Sequence, residues 1–144
     1  MAVGSKRIEE RAEFNFRVLI EAMNGHNNLK VFQAAYRLAM EIFHLSKTFP
    51  SEEKYSLTDQ IRPSSRSVAA NIAEGYRKRQ YPNAFSNKMS DSDAEGTETQ
   101  VWLAFAKDCG YLSTDVCNRM IGEYQEVGRM LGNMILNPEK FLPR

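Results

Sequence analysis

Residues 60–75 read QIRPSSRSVAANIAEG, from Gln60 to Gly75, and their spacing is helical without being that of an ordinary amphipathic helix. On a 3.6-residue period Leu57, Ile61, Val68 and Ile72 fall on one apolar stripe. A second stripe, Gln60, Ser64, Ser67, Asn71 and Glu74, is polar and repeats with spacings of 4, 3, 4 and 3. A third face carries Arg62, Arg66 and Arg77, separated by the small Ala69 and Ala73. A solvated helix face normally mixes long charged side chains. A regular ladder of amides and hydroxyls instead suggests polar groups held against a partner surface, where each needs a hydrogen bond. Gln60, Ser67, Asn71 and Glu74 are therefore expected to form a buried polar network that sets the register of helices or subunits.

Outward from this stretch the chain reads as all-α. Val31, Phe32, Ala35, Leu38, Ala39, Ile42, Phe43 and Ser46 line one face of a helix that ends near Phe49-Pro50, because the residue before proline is pushed out of the α region. The next helix runs from about Ser56, a candidate N-cap, to Lys78. Pro63 lies inside it, removes the bond to the Asp59 carbonyl and is expected to kink or locally open it. A third helix starts around Pro82, suited to a first turn, and runs to Cys109, with Gly110 as its stop. The fourth begins at Ser113 or Thr114, carries Val116, Met120, Tyr124, Val127, Leu131, Met134 and Ile135, and ends at Asn137-Pro138. Short connections at 49–56, 79–81 and 110–113 predict an antiparallel up-down-up-down four-helix bundle over residues 29–144. Residues 1–28 are expected to be an extension, partly helical or mobile, with Lys6 to Met23 helical and Gly25 to Asn28 breaking it from the bundle.

The chain has 144 residues, enough for one core, with 42% hydrophobic and 26% charged residues. It carries neither a 20-residue apolar run nor a signal-peptide pattern, so a cytoplasmic protein is expected. Cys109 and Cys117 flank a turn and read as two reduced thiols packed as small apolar groups. The net charge of +1 hides an uneven distribution. Residues 60–80 carry +4, from Arg62, Arg66, Arg77, Lys78 and Arg79 against Glu74, while residues 81–110 carry −3. The two segments are suited to pair within the molecule or between copies.

No catalytic arrangement emerges. Asp91, Asp93, Glu95 and Gly96 imitate the first half of a calcium loop, but position 12 is Trp102, which cannot ligate. Asp91 shares a helical face with Glu95 and Glu98, without a sign of the shelter that acid–base work needs. Glu41 and His44 form a single ExxH, and a di-metal bundle needs two. No GxSxG, no cysteine–histidine pairing and no phosphate-binding glycine loop occurs. The expectation is a non-enzymatic protein with no metal and no cofactor. Arg62, Arg66, Arg77, Lys78 and Arg79, with Tyr76 and Tyr81 interleaved, have the ingredients of a surface that contacts RNA or DNA phosphates. Pairing of the same arginines with the acidic third helix, inside the chain or across a subunit boundary, is the other reading. Apolar residues around Trp102 exceed one core stripe and suggest oligomerisation.

Phe49-Pro50, Glu53, Tyr55, Gln60-Ile61-Arg62, Ser67-Val68, Asn71-Ile72-Ala73-Glu74-Gly75, Glu98 and Gly110-Tyr111-Leu112 occur in an order that resembles a bacterial four-helix-bundle family. That family is named for proteins encoded by intervening sequences of 23S ribosomal RNA, and the resemblance spans Leu29 to Pro143. It implies a ring-like homopentamer. It also implies kinship with accessory proteins of diversity-generating retroelements, which bind nucleic acid and a reverse transcriptase. It carries over no catalytic residue. Pro63 and the acidic Asp91 to Gly96 depart from the family pattern. The functional expectation is a homo-oligomer, a pentamer on the resemblance, that associates with RNA or DNA through the basic face. The alternative is a protein-interaction scaffold, with a partner such as a reverse transcriptase and no direct nucleic-acid contact.

Overall fold

A computed structural model describes residues 4–13, 25 and 29–142. The described residues hold an exposed helical segment, α1 (residues 4–13), and four longer helices: α2 (Lys30–Ser46), α3 (Leu57–Arg77), α4 (Pro82–Asp108) and α5 (Thr114–Leu136). Two 3₁₀ turns, Ser51–Glu53 and Pro138–Phe141, flank them. Helices α2 to α5 pack as a four-helix bundle in which each touches the next and α2 closes against α5. Gly25 has φ 91°, a left-handed turn that fits the expected break before the bundle. The expected helix over Lys6 to Met23 lies partly outside the described residues.

Local signals act where the chain needs them. Pro82 takes the first turn of α4, and the Ser113 hydroxyl caps α5 by accepting from the Val116 amide at 3.2 Å. Gly110, at φ 82°, ends α4. Its amide donates to the Lys107 carbonyl and the Tyr111 amide reaches back to Ala106 at 2.8 Å, the paired bonds of a Schellman end. Ser56 departs from its expected capping role, because its hydroxyl donates to the Glu53 carboxylate instead.

Helix α3 runs through Pro63 without a break, so the expected local opening does not occur. Pro63 and Asp59 are both exposed, which leaves the freed carbonyl to water. Just beyond, the Ser64 and Ser65 hydroxyls donate to the Ile61 and Arg62 carbonyls at 3.2 and 3.0 Å, supporting the turn that the proline weakens.

The core stripe of α4 is Phe85, Met89, Ser92, Gly96, Thr99, Leu103 and Ala106, all buried at alternating spacings of 4 and 3. Its centre is small and polar, which lets α3 approach closely. Thr99 Oγ1 donates to Ser64 Oγ at 2.9 Å, and Ser92 Oγ donates to the Val68 carbonyl at 2.7 Å. The buried polar bonds between α3 and α4 thus involve Ser64, Ser92 and Thr99. The expected network of Gln60, Ser67, Asn71 and Glu74 needs correcting within the chain: Gln60 and Glu74 are exposed, and Ser67 and Asn71 half-buried. Asn71 bonds to the Ser67 carbonyl of its own helix, and Glu74 pairs with Lys88 at 2.9 Å. A helix carrying polar groups on two neighbouring faces offers no sequence cue to which face turns inward.

On the opposite side, Arg37, Glu41, Arg119 and Glu123 form a chain of ion pairs across the α2–α5 seam. Beneath it lies Tyr124, 1% exposed, whose hydroxyl has no hydrogen-bond partner among the described residues. Burial, with the Glu41 and Glu123 carboxylates adding to it, pushes this hydroxyl well above the ordinary tyrosine range. Tyr124→Phe removes an unsatisfied polar atom and should raise stability at neutral pH by about 1 kcal/mol. The pH dependence has a defined sign. Above the unfolded value of about 10, the unfolded chain releases this proton and the folded one retains it. The stability linked to the proton is therefore complete below that value and is lost as pH rises toward the folded one. Denaturant titrations between neutral and strongly alkaline pH should show a shallower alkaline loss for Tyr124→Phe. Equal slopes in both proteins would contradict this.

Candidate nucleic-acid and assembly surfaces

The five basic residues do not make one patch. Arg62 and Arg66 sit near the start of α3, and Arg77, Lys78 and Arg79 at its end. Eleven residues of helix separate Arg66 from Arg77, about 16 Å of axis. The face between them is apolar. Ala69, Ala70 and Ala73 of α3 join Phe32, Tyr36, Ala39 and Met40 of α2 around a groove of about 310 Å³, with Arg66 at one edge.

At the first cluster, three cations surround one ring. Lys47 Nζ lies 4.5 Å from the Phe43 centroid, and the guanidinium carbons of Arg62 and Arg66 lie 5.1 and 5.9 Å from it. Arg62 Nε donates to the Ser46 hydroxyl at 2.7 Å, which fixes its side chain across the α2–α3 seam. Among the described residues no carboxylate pairs with Lys47, Arg62 or Arg66. Sequence reasoning placed Phe43 on the inner face of α2, where it is only half-buried, and missed Lys47. The four-residue spacing of Phe43 and Lys47 at the end of α2, matched by Arg62 and Arg66 on α3, was the available signal.

At the second cluster, α3 turns into α4. Arg77 and Lys78 are exposed. Arg79 stacks its guanidinium 4.2 Å from the Tyr76 centroid and donates to the Tyr76 carbonyl at 3.0 Å. Tyr81, 60% exposed, projects beside them. This corner joins cations to exposed aromatic surface, and none of the three cations is ion-paired among the described residues.

The acidic segment lies on the other flank of α3. Glu95 has its carboxyl raised above the usual range by partial burial, by the neighbouring Glu98 charge and hydrogen bond, and by Asp91. Glu98 accepts from the Trp102 indole at 3.2 Å. Toward the end of α4, Glu53, Tyr55, Leu57, Gln60, Trp102 and Phe105 line an open groove of about 620 Å³. Tyr55 is 83% and Phe105 53% exposed, so this is apolar surface left uncovered by the chain itself. Partial burial, with Glu53, Cys109 and Glu52 nearby, raises the Tyr111 hydroxyl at the same end.

The remaining candidates separate. Cys117 is buried in the core as expected, whereas Cys109 is exposed on the groove's rim. Glu41 pairs with Arg119, while exposed His44 packs edge-on against Phe43. Asp91 to Gly96 stays helical, with Gly96 buried. Among the described residues no group of three or more His, Cys, Asp or Glu side chains is placed to hold a metal ion, and no helix is long and apolar enough to cross a membrane.

The family described as 23S rRNA-intervening sequence protein matches residues 27–133 of the chain. Among solved structures, the chain is similar to the crystal structure of a protein of unknown function from the S23 ribosomal protein family of Bacteroides thetaiotaomicron VPI-5482. The two share 26% identity with a TM-score of 0.66, over 73% of this chain and 97% of that one. No curated protein matches the chain.

Proposed function

Because this chain belongs to the 23S rRNA-intervening sequence protein family, we propose that it acts without catalysis, as a cytoplasmic homo-oligomer that associates with RNA or DNA. The resemblance that suggests a ring makes a pentamer the expected state, with a solution mass five times the 16.5 kDa chain. The observation that carries the nucleic-acid reading is the α3–α4 corner. There Arg77, Lys78 and the Tyr76-stacked Arg79 stand without carboxylate partners among the described residues, beside exposed Tyr81. Cations without intramolecular partners are free to displace the counterions of a phosphate backbone, and adjacent aromatic rings offer stacking platforms to unpaired bases. Repeating the corner around a ring multiplies its effective concentration.

Salt provides the test. For a single strand, each cation withdrawn from a phosphate lowers the slope of log K against log salt by about 0.7. Arg77→Gln/Lys78→Gln/Arg79→Gln should therefore flatten that slope by about 2 for each copy engaged. An unchanged slope would remove the corner from the reading.

A second reading is favoured by the groove at Tyr55, Trp102 and Phe105, whose exposed aromatic surface suits a polypeptide rather than a phosphate. On that reading the protein is an interaction scaffold, and a partner such as a reverse transcriptase holds the nucleic acid. Co-purification that survives nuclease treatment favours the scaffold, and its loss favours direct contact.

A further inference from the structure

We propose that the two unmatched surfaces flanking the start of α3 are the two halves of one head-to-tail contact between copies of this chain. The Lys47, Arg62 and Arg66 cluster around Phe43 of one copy seats on the Glu53, Tyr55, Trp102 and Phe105 groove of the next. This rests on the homo-oligomer reading above and specifies its contact. It also divides the basic residues, giving Arg62 and Arg66 to the neighbouring copy and leaving Arg77, Lys78 and Arg79 for phosphate.

Three observations lead to the pairing. The first is charge. Glu53 in the groove, its chain neighbour Glu52 and the three cations around Phe43 have no ion-pair partner among the described residues. A groove that joins the Glu53 carboxylate to aromatic rings asks for a cation that can also lie flat on a ring, and a guanidinium does both. The second is apolar surface. Phe105 and Tyr55 on one side and Met40, 41% exposed, on the other bring area that a phosphate backbone would leave wet. The third is placement. Gln60 lines the groove, and Arg62, two residues on, bonds to Ser46 of α2. Two residues turn a helix by about 200°. The surfaces therefore lie on different sides of α3 at one level of the bundle. A copy docked through one surface presents the other to the next copy at the same height. Such a contact is heterologous, and copies that stay level can close into a ring.

Charge reversal on the two surfaces tests it, with mass measured by light scattering. Lys47→Glu/Arg66→Glu disables one surface and Glu52→Lys/Glu53→Lys the other. Each variant alone should fall to the monomer mass at concentrations where the natural chain is assembled. Mixed one to one, they should assemble beyond the heterodimer, because the two intact surfaces pair and the two reversed surfaces are complementary as well. All four changes in one chain should restore assembly with the charges exchanged. Unfolding temperatures near that of the natural chain ensure that a fall in mass reports assembly alone. For a pair that unfolds, the neutral Lys47→Gln/Arg66→Gln should weaken assembly by about tenfold. An assembled natural chain whose two variants keep its mass overturns this contact and leaves the oligomer standing. A natural chain that is monomeric throughout overturns both. Loss of nucleic-acid binding at unchanged mass in Lys47→Glu/Arg66→Glu assigns the cluster to phosphate, and the proposal fails.

Discussion

Phe85→Ala should lower folding stability by about 4 kcal/mol, the largest single effect expected in this molecule. Phe85 is 0% exposed at the first turns of α4, and its ring stacks on Phe141 at 5.7 Å. Truncation removes about 3 kcal/mol of transfer energy and leaves a cavity that two helix backbones cannot collapse to fill. Phe141 lies in the C-terminal 3₁₀ turn, so this turn loses its ring contact with α4 as well. Chemical denaturation should show the drop. Limited proteolysis should show cleavage within 138–142 under conditions where the natural chain stays intact. Both arise from one ring, and a variant that loses stability without gaining the cleavage would mean that the turn is held elsewhere.

The second large effect is at Gly75, the last residue of the NIAEG stretch. A Cβ there would lie 2.4 Å from the Met89 methyl and 2.7 Å from Lys88 Cβ. Met89 is 0% exposed within the core, and Lys88 Cβ is fixed to the α4 backbone. Alanine adds about 1 kcal/mol of helix propensity. Overpacking of this kind costs about 3 kcal/mol, so the clash wins and Gly75→Ala should lose about 2 kcal/mol. It would also loosen the Glu74–Lys88 pair one residue away. Thermal denaturation decides the sign, and a higher melting temperature would mean that α3 and α4 can separate at that end without penalty. Gly75 and Phe85 are close enough that their effects should not simply add, since Phe85 O lies 3.5 Å from the same point.

Much of this architecture is legible in the sequence, because the signals that place helices are local. Pro50, Pro82, Gly110 and Ser113 punctuate the chain where backbone chemistry requires it, and the stripe of Leu57, Ile61, Val68 and Ile72 is buried. What escapes is the direction in which small polar residues face. Ser64, Ser92 and Thr99 resemble surface residues by composition, yet they line the tightest seam, because a hydroxyl satisfied by a neighbouring helix is cheap to bury. Gln60 and Glu74 look like partners in a network, yet within the chain Gln60 is exposed and Glu74 pairs with Lys88. The division of the basic face is equally hidden from one-dimensional reading. Arg66 and Arg77 do share a face of α3, but the apolar groove between them is completed by α2, and only tertiary packing brings Phe32 and Met40 there. Function is less legible still, since surfaces that await a partner carry no local signature.

The neutral hydroxyl bonds between α3 and α4 have one more consequence. Neither Thr99 to Ser64 nor Ser92 to Val68 involves a net charge, and both lie where solvent ions do not reach. Screening at molar salt shortens electrostatic reach to about 3 Å, but only among groups that ions can approach. Ionic strength therefore acts on the outside of this molecule and leaves its tightest internal seam untouched. Release of a nucleic acid or of a neighbouring copy in concentrated salt would report on those surfaces themselves, not on an unravelling of the fold that displays them.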